Sequence, residues 1–284
     1  MESPSNPLCK VTDIKRVCDL ISQRYEKQWG KEAANTDPCS TSTDTTNSSI
    51  TTITTLVDST WAPPCLTQPL ILGADIVLHS GTKYLGGHSD VLLGVITTSP
   101  CTRMGKWLGS TSSSTSPSRL RSIQTSLGST ASPLDCWLTL RGLRTLHLRV
   151  ERQCDNALEL ATWLASEISS TSSVRKVHYP GLTDHPQHQI AKSQMRSGYF
   201  GGMFSFEMKN EAMAMAVAGA VSTIKRATSL GGTETLIEHR ASIEPMDGRV
   251  SPDGLLRVSV GLETVEDLKR DLSKALKIAR DVVG

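Results

Sequence analysis

The apolar positions follow two rhythms along this chain, and each change of rhythm predicts an element. Ile14, Val17, Cys18 and Ile21 recur at three- and four-residue steps behind Thr12 and Asp13, the spacing of one helix face behind a capping pair. Ile53–Asp58 reads as a strand ending in a carboxylate, Thr60–Pro64 as a loop, and Leu66–Leu72 as a short apolar helix. Two apolar runs, Ala74–Leu78 and Val91–Ile96, read as buried strands on either side of a polar loop that carries Gly86 and Gly87. Met104–Leu108 starts another helix, and Arg119–Leu127 resumes order. From Pro133 one long helical region is predicted to about Ser169, with Trp137, Leu138, Leu158, Ala161 and Leu164 on its apolar face. Strands Val174–Tyr179, Met203–Met208 and Leu255–Val260 and helices Glu211–Val221 and Val265–Val282 follow. The alternation in the first half predicts an α/β fold with a mostly parallel sheet flanked by helices, and the second half a small α+β domain. The expected division is 1–150 and 151–284, with the long helix as the link.

The polar stretches and bulk properties narrow this picture. From Thr36 to Thr55, 13 of 20 residues are Ser or Thr, too little apolar surface to repay ordering. Residues 25–52 are read as a loosely ordered insertion, and Ser110–Ser118 as a second Ser/Thr-rich loop. The 284 residues suffice for a sizeable core, and a net charge of +2 leaves no footprint for nucleic acid. No run of 18 apolar residues predicts a membrane span. The opening MESPSNPLCK lacks the basic start and apolar stretch of a secretory signal. Seven dispersed cysteines without a C-x-x-C pair read as reduced thiols, so a cytoplasmic location is expected. Cys9 and Cys18 are read as buried among helical apolar positions, and His185-Pro-Gln-His188 as a loop rather than a metal pair. Arg141, Arg144, Arg149 and Arg152 read as a solvated or interface face.

The chemistry concentrates on Gly73–Gly94, GADIVLHSGTKYLGGHSDVLLG. Lys83 sits on the loop between the two apolar runs, with hydroxyls at Ser80 and Thr82. A desolvated lysine there can act as a base or condense with an aldehyde, and the hydroxyls suit a phosphate nearby, or else close a simple Ser/Thr turn. His88 and Asp90 are read as bracing the loop. Asp58 ends the preceding strand, where ligands of parallel sheets gather, although such a carboxylate can also cap its own turn. Arg257 lies in the apolar run L-L-R-V-S-V; a charge there needs a salt-bridge partner or a carboxylate ligand.

S-G-T-K-Y-L-G-G-H-S-D is similar to the lysine motif of the Cys/Met-metabolism family of pyridoxal-phosphate enzymes, which includes cystathionine γ-synthases, β-lyases and γ-lyases. E-S-P-S-N-P (2–7), V-D-S-T-W-A-P-P (57–64), R-G-L-R-T-L (141–146), H-Y-P-G-L (178–182), G-G-M-F-S-F (201–206), S-L-G-G (229–232) and R-V-S-V-G-L-E (257–263) resemble the family in its own order. The likeness leaves out roughly residues 22–55 and 108–121. It implies a fold-type I transferase architecture, pyridoxal 5'-phosphate as cofactor, an amino-acid substrate and a homo-oligomer, dimer or tetramer. It places the cofactor Schiff base on Lys83, the pyridine-nitrogen partner at Asp58, phosphate donors at Ser80 and Thr82, and the carboxylate clamp at Arg257. Asn6 would lie near the ring hydroxyl and the substrate carboxylate, and Ser229 would position substrate and Lys83. The expected activity is β- or γ-elimination or γ-replacement on cystathionine- or O-acylhomoserine-like substrates. Family members carry a portion ahead of their counterpart of Glu2–Pro7, with an oligomer-forming arm and further phosphate- and ring-binding residues. This chain is expected to lack that portion, and the alternative expectation is a truncated, catalytically inactive homologue or gene fragment acting at most as an interaction protein.

Overall fold

The computed structural model describes residues 1–33, 53–109, 117–171, 173–245 and 247–283. In chain order the elements are α1 (Ile14–Ala33), β1 (Leu56–Asp58), β2 (Ile76–Ser80), β3 (Gly94–Thr98), α2 (Arg103–Gly109), α3 (Arg119–Leu127), α4 (Pro133–Leu143), α5 (Leu146–Thr171), β4 (Val174–His178), α6 (His188–Gln194), β5 (Met203–Met208), α7 (Glu211–Ala220), β6 (Lys225–Arg226), β7 (Leu236–His239), β8 (Leu255–Ser259) and α8 (Val265–Val283). One sheet has the order β1-β2-β3 and the other β4-β5-β8-β7-β6.

In the first sheet β1 runs parallel to β2, with Asp58 opposite Leu78. β3 returns antiparallel to β2, so only one of the two ladders has the expected parallel sense. Both β1 and β2 therefore end on the same side, and Asp58 and Ser80 leave the sheet together. Residues 1–3 extend the sheet beside β1: the Asp58 N–H donates to the Met1 carbonyl at 2.8 Å, and Ser3 N–H to that of Asp58 at 3.2 Å. Val91–Ile96 corrects the expectation of a buried strand. β3 starts later and lies at the sheet edge, with Leu92 83% exposed.

The second sheet is sealed. Every residue of β8 is buried, and its period-2 alternation sorts the side chains. Leu256, Val258 and the following Val260 enter the main core with Phe204, Phe206, Leu268, Leu272 and Leu276, while Arg257 and Ser259 point the other way. α8 presents Leu268, Leu272, Ala275, Leu276 and Ala279 to that core, one stripe at three- and four-residue steps. Each such leucine contributes about 1.5–3 kcal/mol when fully buried. Asp271 on the same helix accepts from the Ser222, Thr223 and Ile224 N–H groups and fastens the loop after α7.

Three helical expectations change. Leu66–Leu72 is a series of turns, because Pro69 has no N–H to give to the preceding turn and its ring crowds it; Thr67 instead bridges to Met195. The long helix is two, α4 and α5, broken at Arg144–Thr145. Trp137 is not on a core face but 59% exposed, whereas Ala161 and Leu164 are buried as expected. α1 begins where its cap predicts, with Arg16 N–H donating to Asp13 Oδ1 at 2.9 Å, but it continues to Ala33 into the segment read as an insertion. Residues 34–52 and most of Ser110–Ser118 lie outside the described residues. Cys9 and Cys18 are both buried, but only Cys18 is helical; Cys9 has a left-handed backbone at φ 55°.

α5 joins the two regions. Leu146, Val150 and Cys154 pack in a cluster with Tyr84, Leu85, Trp61 and Leu230. One turn further on, Ala157, Leu160, Ala161 and Leu164 enter the core of the five-stranded sheet.

Candidate active site

β2 feeds one tight turn, Gly81–Leu85, closed by the Gly86 N–H on the Gly81 carbonyl at 2.8 Å. Lys83 breaks the helical conformation inside it, at φ −88° and ψ −124°. The turn is stitched to the strand beyond: Gly81 N–H donates to the Leu93 carbonyl at 2.6 Å, and Leu93 N–H donates to Thr82 Oγ1 at 3.1 Å. The Ser80 hydroxyl makes no cap bond, while its N–H donates to Thr60 Oγ1 at 2.9 Å. Asp58 Oδ1 accepts from the Thr60 N–H at 2.9 Å, so the carboxylate does cap its own turn with one oxygen.

From the other sheet, Arg257 stands at the centre of β8, with Ser205 of β5 opposite on one side and Glu238 of β7 on the other. Its guanidinium donates to Asn6 Oδ1 at 3.2 Å and to the Ser229 carbonyl at 3.1 Å, and pairs with the buried Glu238 carboxylate. The Ser205 hydroxyl donates to the Pro7 carbonyl at 2.7 Å, which lays Asn6–Pro7 across this face of the sheet. Ser229 has a left-handed backbone at φ 92°, a conformation that costs a non-glycine residue energy and is found mostly at functional positions. Lys83 Nζ donates to Ser229 Oγ at 2.9 Å.

Lys83, Ser229, Arg257 and Asn6 therefore form one continuous hydrogen-bonded chain. Burial, followed by the Arg257 guanidinium, lowers the Lys83 ammonium from its ordinary value, against an opposing pull from Glu238. The hydrogen-bond partner of Nζ is a neutral hydroxyl. A half-buried amine with a raised neutral fraction, on the turn that leaves the same end of the sheet as the Asp58 carboxylate and the Ser80 and Thr82 hydroxyls, fits an aldehyde-bearing phosphate ester. Asp58, Ser80 and Thr82 line up along the ends of β1 and β2 and are not hydrogen-bonded to that chain.

Sequence reasoning missed Glu238, although T-L-I-E-H sets an acid in an apolar run as L-L-R-V sets Arg257. It also misread Arg149. Of the four arginines taken as a solvated or interface face, Arg149 is only 4% exposed. Its signal was periodic: it stands three residues after Leu146 and beside Val150, on the buried side of α5. His88 Nδ1 donates locally to the Gly86 carbonyl at 2.8 Å. Among the described residues no cluster of metal-ligating side chains occurs, and no helix is long and apolar enough to cross a membrane.

The Cys/Met metabolism PLP-dependent enzyme family model matches residues 41–277, and the chain belongs to that family. A cystathionine beta-lyase of Lactococcus lactis subsp. cremoris (strain MG1363) is 40% identical over 283 residues, covering 97% of this chain and 62% of the relative. A cystathionine gamma-synthase of Mycobacterium tuberculosis is 37% identical over 281 residues, 97% of this chain and 61% of the relative. The crystal structure of cystathionine gamma-lyase from yeast superposes with a TM-score of 0.79 at 36% identity, covering 99% of this chain and 63% of that one. The chain thus spans less than two thirds of the length of these proteins.

Proposed function

We propose that this chain supplies the lysine-bearing part of a pyridoxal-phosphate site acting on sulfur-containing amino acids, by β- or γ-elimination or γ-replacement on cystathionine- or O-acylhomoserine-like substrates. The observation that carries this reading is the chain of hydrogen bonds from Lys83 through Ser229 to Arg257 and Asn6. The cofactor, when bound, supplies an electron sink for charge left at a substrate carbon.

The residues divide the remaining work. Lys83 would hold the cofactor through its amine and would move a proton at the substrate; its depressed basicity would serve both tasks. Ser229 Oγ holds Nζ between them. Asp58 commits one oxygen to Thr60, and its other oxygen would accept from a ring N–H of the cofactor. Thr82 Oγ1 accepts from Leu93, which leaves its own O–H to donate to phosphate together with that of Ser80. Arg257 offers a planar fork to the substrate carboxylate, with Glu238 and Asn6 fixing its orientation.

Self-association is supported by α4, which exposes Leu134, Trp137 and Leu140, apolar area of the kind that interfaces cover. A reducing compartment such as the cytoplasm suits the six free cysteines among the described residues. The test is product analysis after mixing the chain with pyridoxal phosphate and cystathionine. With one water consumed, β-elimination releases pyruvate and ammonia with homocysteine, and γ-elimination releases 2-oxobutyrate and ammonia with cysteine. Either product is expected from the wild type and neither from Lys83→Ala; equal yields from both would overturn the proposal.

A further inference from the structure

The Lys83 turn and the Ser229–Gly232 loop come from different sheets, yet Lys83 Nζ and Ser229 Oγ meet at 2.9 Å. Something must hold the two loops in one register. Two buried polar side chains of α5 lie directly behind them. Arg149 Nη2 donates to the Tyr84 carbonyl at 3.0 Å and to that of Gly142 at 2.9 Å, and Nε donates to Thr145 Oγ1 at 3.2 Å. Four residues later Gln153, fully buried, donates from Nε2 to the Gly232 carbonyl at 2.7 Å. Residues four apart share one helix face. One turn of a rigid helix thus grips the residue after Lys83 and the last residue of the other loop.

The surroundings leave little slack. Gly87, at φ +72°, passes so close that a Cβ there would lie 2.0 Å from Arg149 Nη1. A Cβ on Gly231, at φ +74°, would lie 2.8 Å from the Tyr84 nitrogen. Gly231 N–H donates to Ser259 Oγ at 2.9 Å, tying the second loop to β8 and hence to the strand of Arg257. Arg149 is buried with hydroxyl and carbonyl acceptors rather than a carboxylate, and Nη1 has no partner. A buried cation with only dipolar acceptors is costly unless its geometry is needed.

We propose that Arg149 and Gln153 are positioning residues, a two-point clamp by which α5 sets the Lys83 turn against the Ser229–Gly232 loop. Neither reaches the reacting atoms; each acts through a backbone carbonyl of the loop it holds. The functional meaning of the clamp rests on the proposed role of Lys83, but its physical content is a coupling between two loops and is measurable without cofactor.

The test is hydrogen exchange on the full chain, without cofactor, for wild type, Gln153→Met and Arg149→Met. Gln153→Met removes the hydrogen bond to the Gly232 carbonyl and keeps the side-chain bulk. The clamp predicts about tenfold faster exchange, the equivalent of one buried hydrogen bond, in residues 229–232 and also in residues 81–87, with β8 and α8 unchanged. Arg149→Met is expected to do the same from the other side. Faster exchange only in the contacted loop, no change in either loop, or an equal rise throughout β8 and α8 would each overturn the clamp. If Arg149→Met does not fold, Gln153→Met decides alone. Cofactor uptake by the wild type is scored separately. Coupled loops in a chain that takes up no cofactor keep the clamp and sink the proposed function, and uncoupled loops in a chain that does take it up do the reverse.

Discussion

The two sheets of this protein are built for opposite purposes. The five-stranded sheet buries all of β8 and backs it with α7 and α8, so it holds a dense core of its own. The three-stranded sheet has only a small cluster beneath it, Ile14, Cys18, Val57 and Ala74, and leaves β3 and Leu92 in solvent. Yet the thin sheet carries Asp58, Ser80, Thr82 and Lys83, while the sealed one contributes Arg257 and Ser229. The difference teaches where precision comes from: Lys83 stands on the weaker platform and meets the stronger one through its hydrogen bond to Ser229.

The contrast can be broken by substitution. Phe204→Ala in the sealed core should cost about 3–5 kcal/mol of unfolding free energy, whereas Leu92→Ala on the open edge should cost less than about 0.5 kcal/mol; denaturant titration of both reads the gap, and comparable losses would erase the distinction. Arg257→Ala should cost about 1–3 kcal/mol, because it leaves the buried Glu238 carboxylate with Arg240 as its remaining partner. Arg257→Leu combined with Glu238→Leu should recover much of that in the same titration while removing the proposed clamp. Gly231→Ala should cost about 1–3 kcal/mol, because its φ of +74° and the Tyr84 nitrogen leave no room for a Cβ; it should weaken pyridoxal-phosphate uptake more than it lowers Tm. The smallest effect is a pH dependence. Burial, followed by the charge of His178, brings His185 down from 6.5 to about 4. The unfolded imidazole takes up its proton first, so stability should fall as pH drops from about 6.5 towards 4, and His185→Asn should flatten that slope in thermal melts.

The sealed region was the more legible. Val174–His178, Met203–Met208, the α7 run and the leucine stripe of α8 all follow from periodicity, because a side chain buried on one face must repeat at the step of its element. The edge of the other sheet was not legible. Val91–Ile96 is apolar enough for a buried strand, and nothing local tells that it lies at an edge. The break between α4 and α5 was hidden because Arg141–Leu146 keeps a helical composition across it. Within the site, Lys83 stood out by its flanks, and Arg257 as a charge among apolar neighbours. Glu238 went unread because its meaning is its register opposite Arg257, a contact across 19 residues of sequence. Arg149 was misread and Gln153 went unread because a polar side chain on a helix is judged solvated until its loops are in place.

The central claim is that the Lys83 amine, held by the chain of Ser229, Arg257 and Asn6, is the group that binds the cofactor. The most direct measurement is the visible absorption of the purified chain after incubation with pyridoxal phosphate and exhaustive dialysis, beside Lys83→Ala and Ser229→Ala. The account predicts a band that survives dialysis in the wild type, weakens in Ser229→Ala and is absent from Lys83→Ala. No retained band in the wild type, or an equal band in Lys83→Ala, would contradict it.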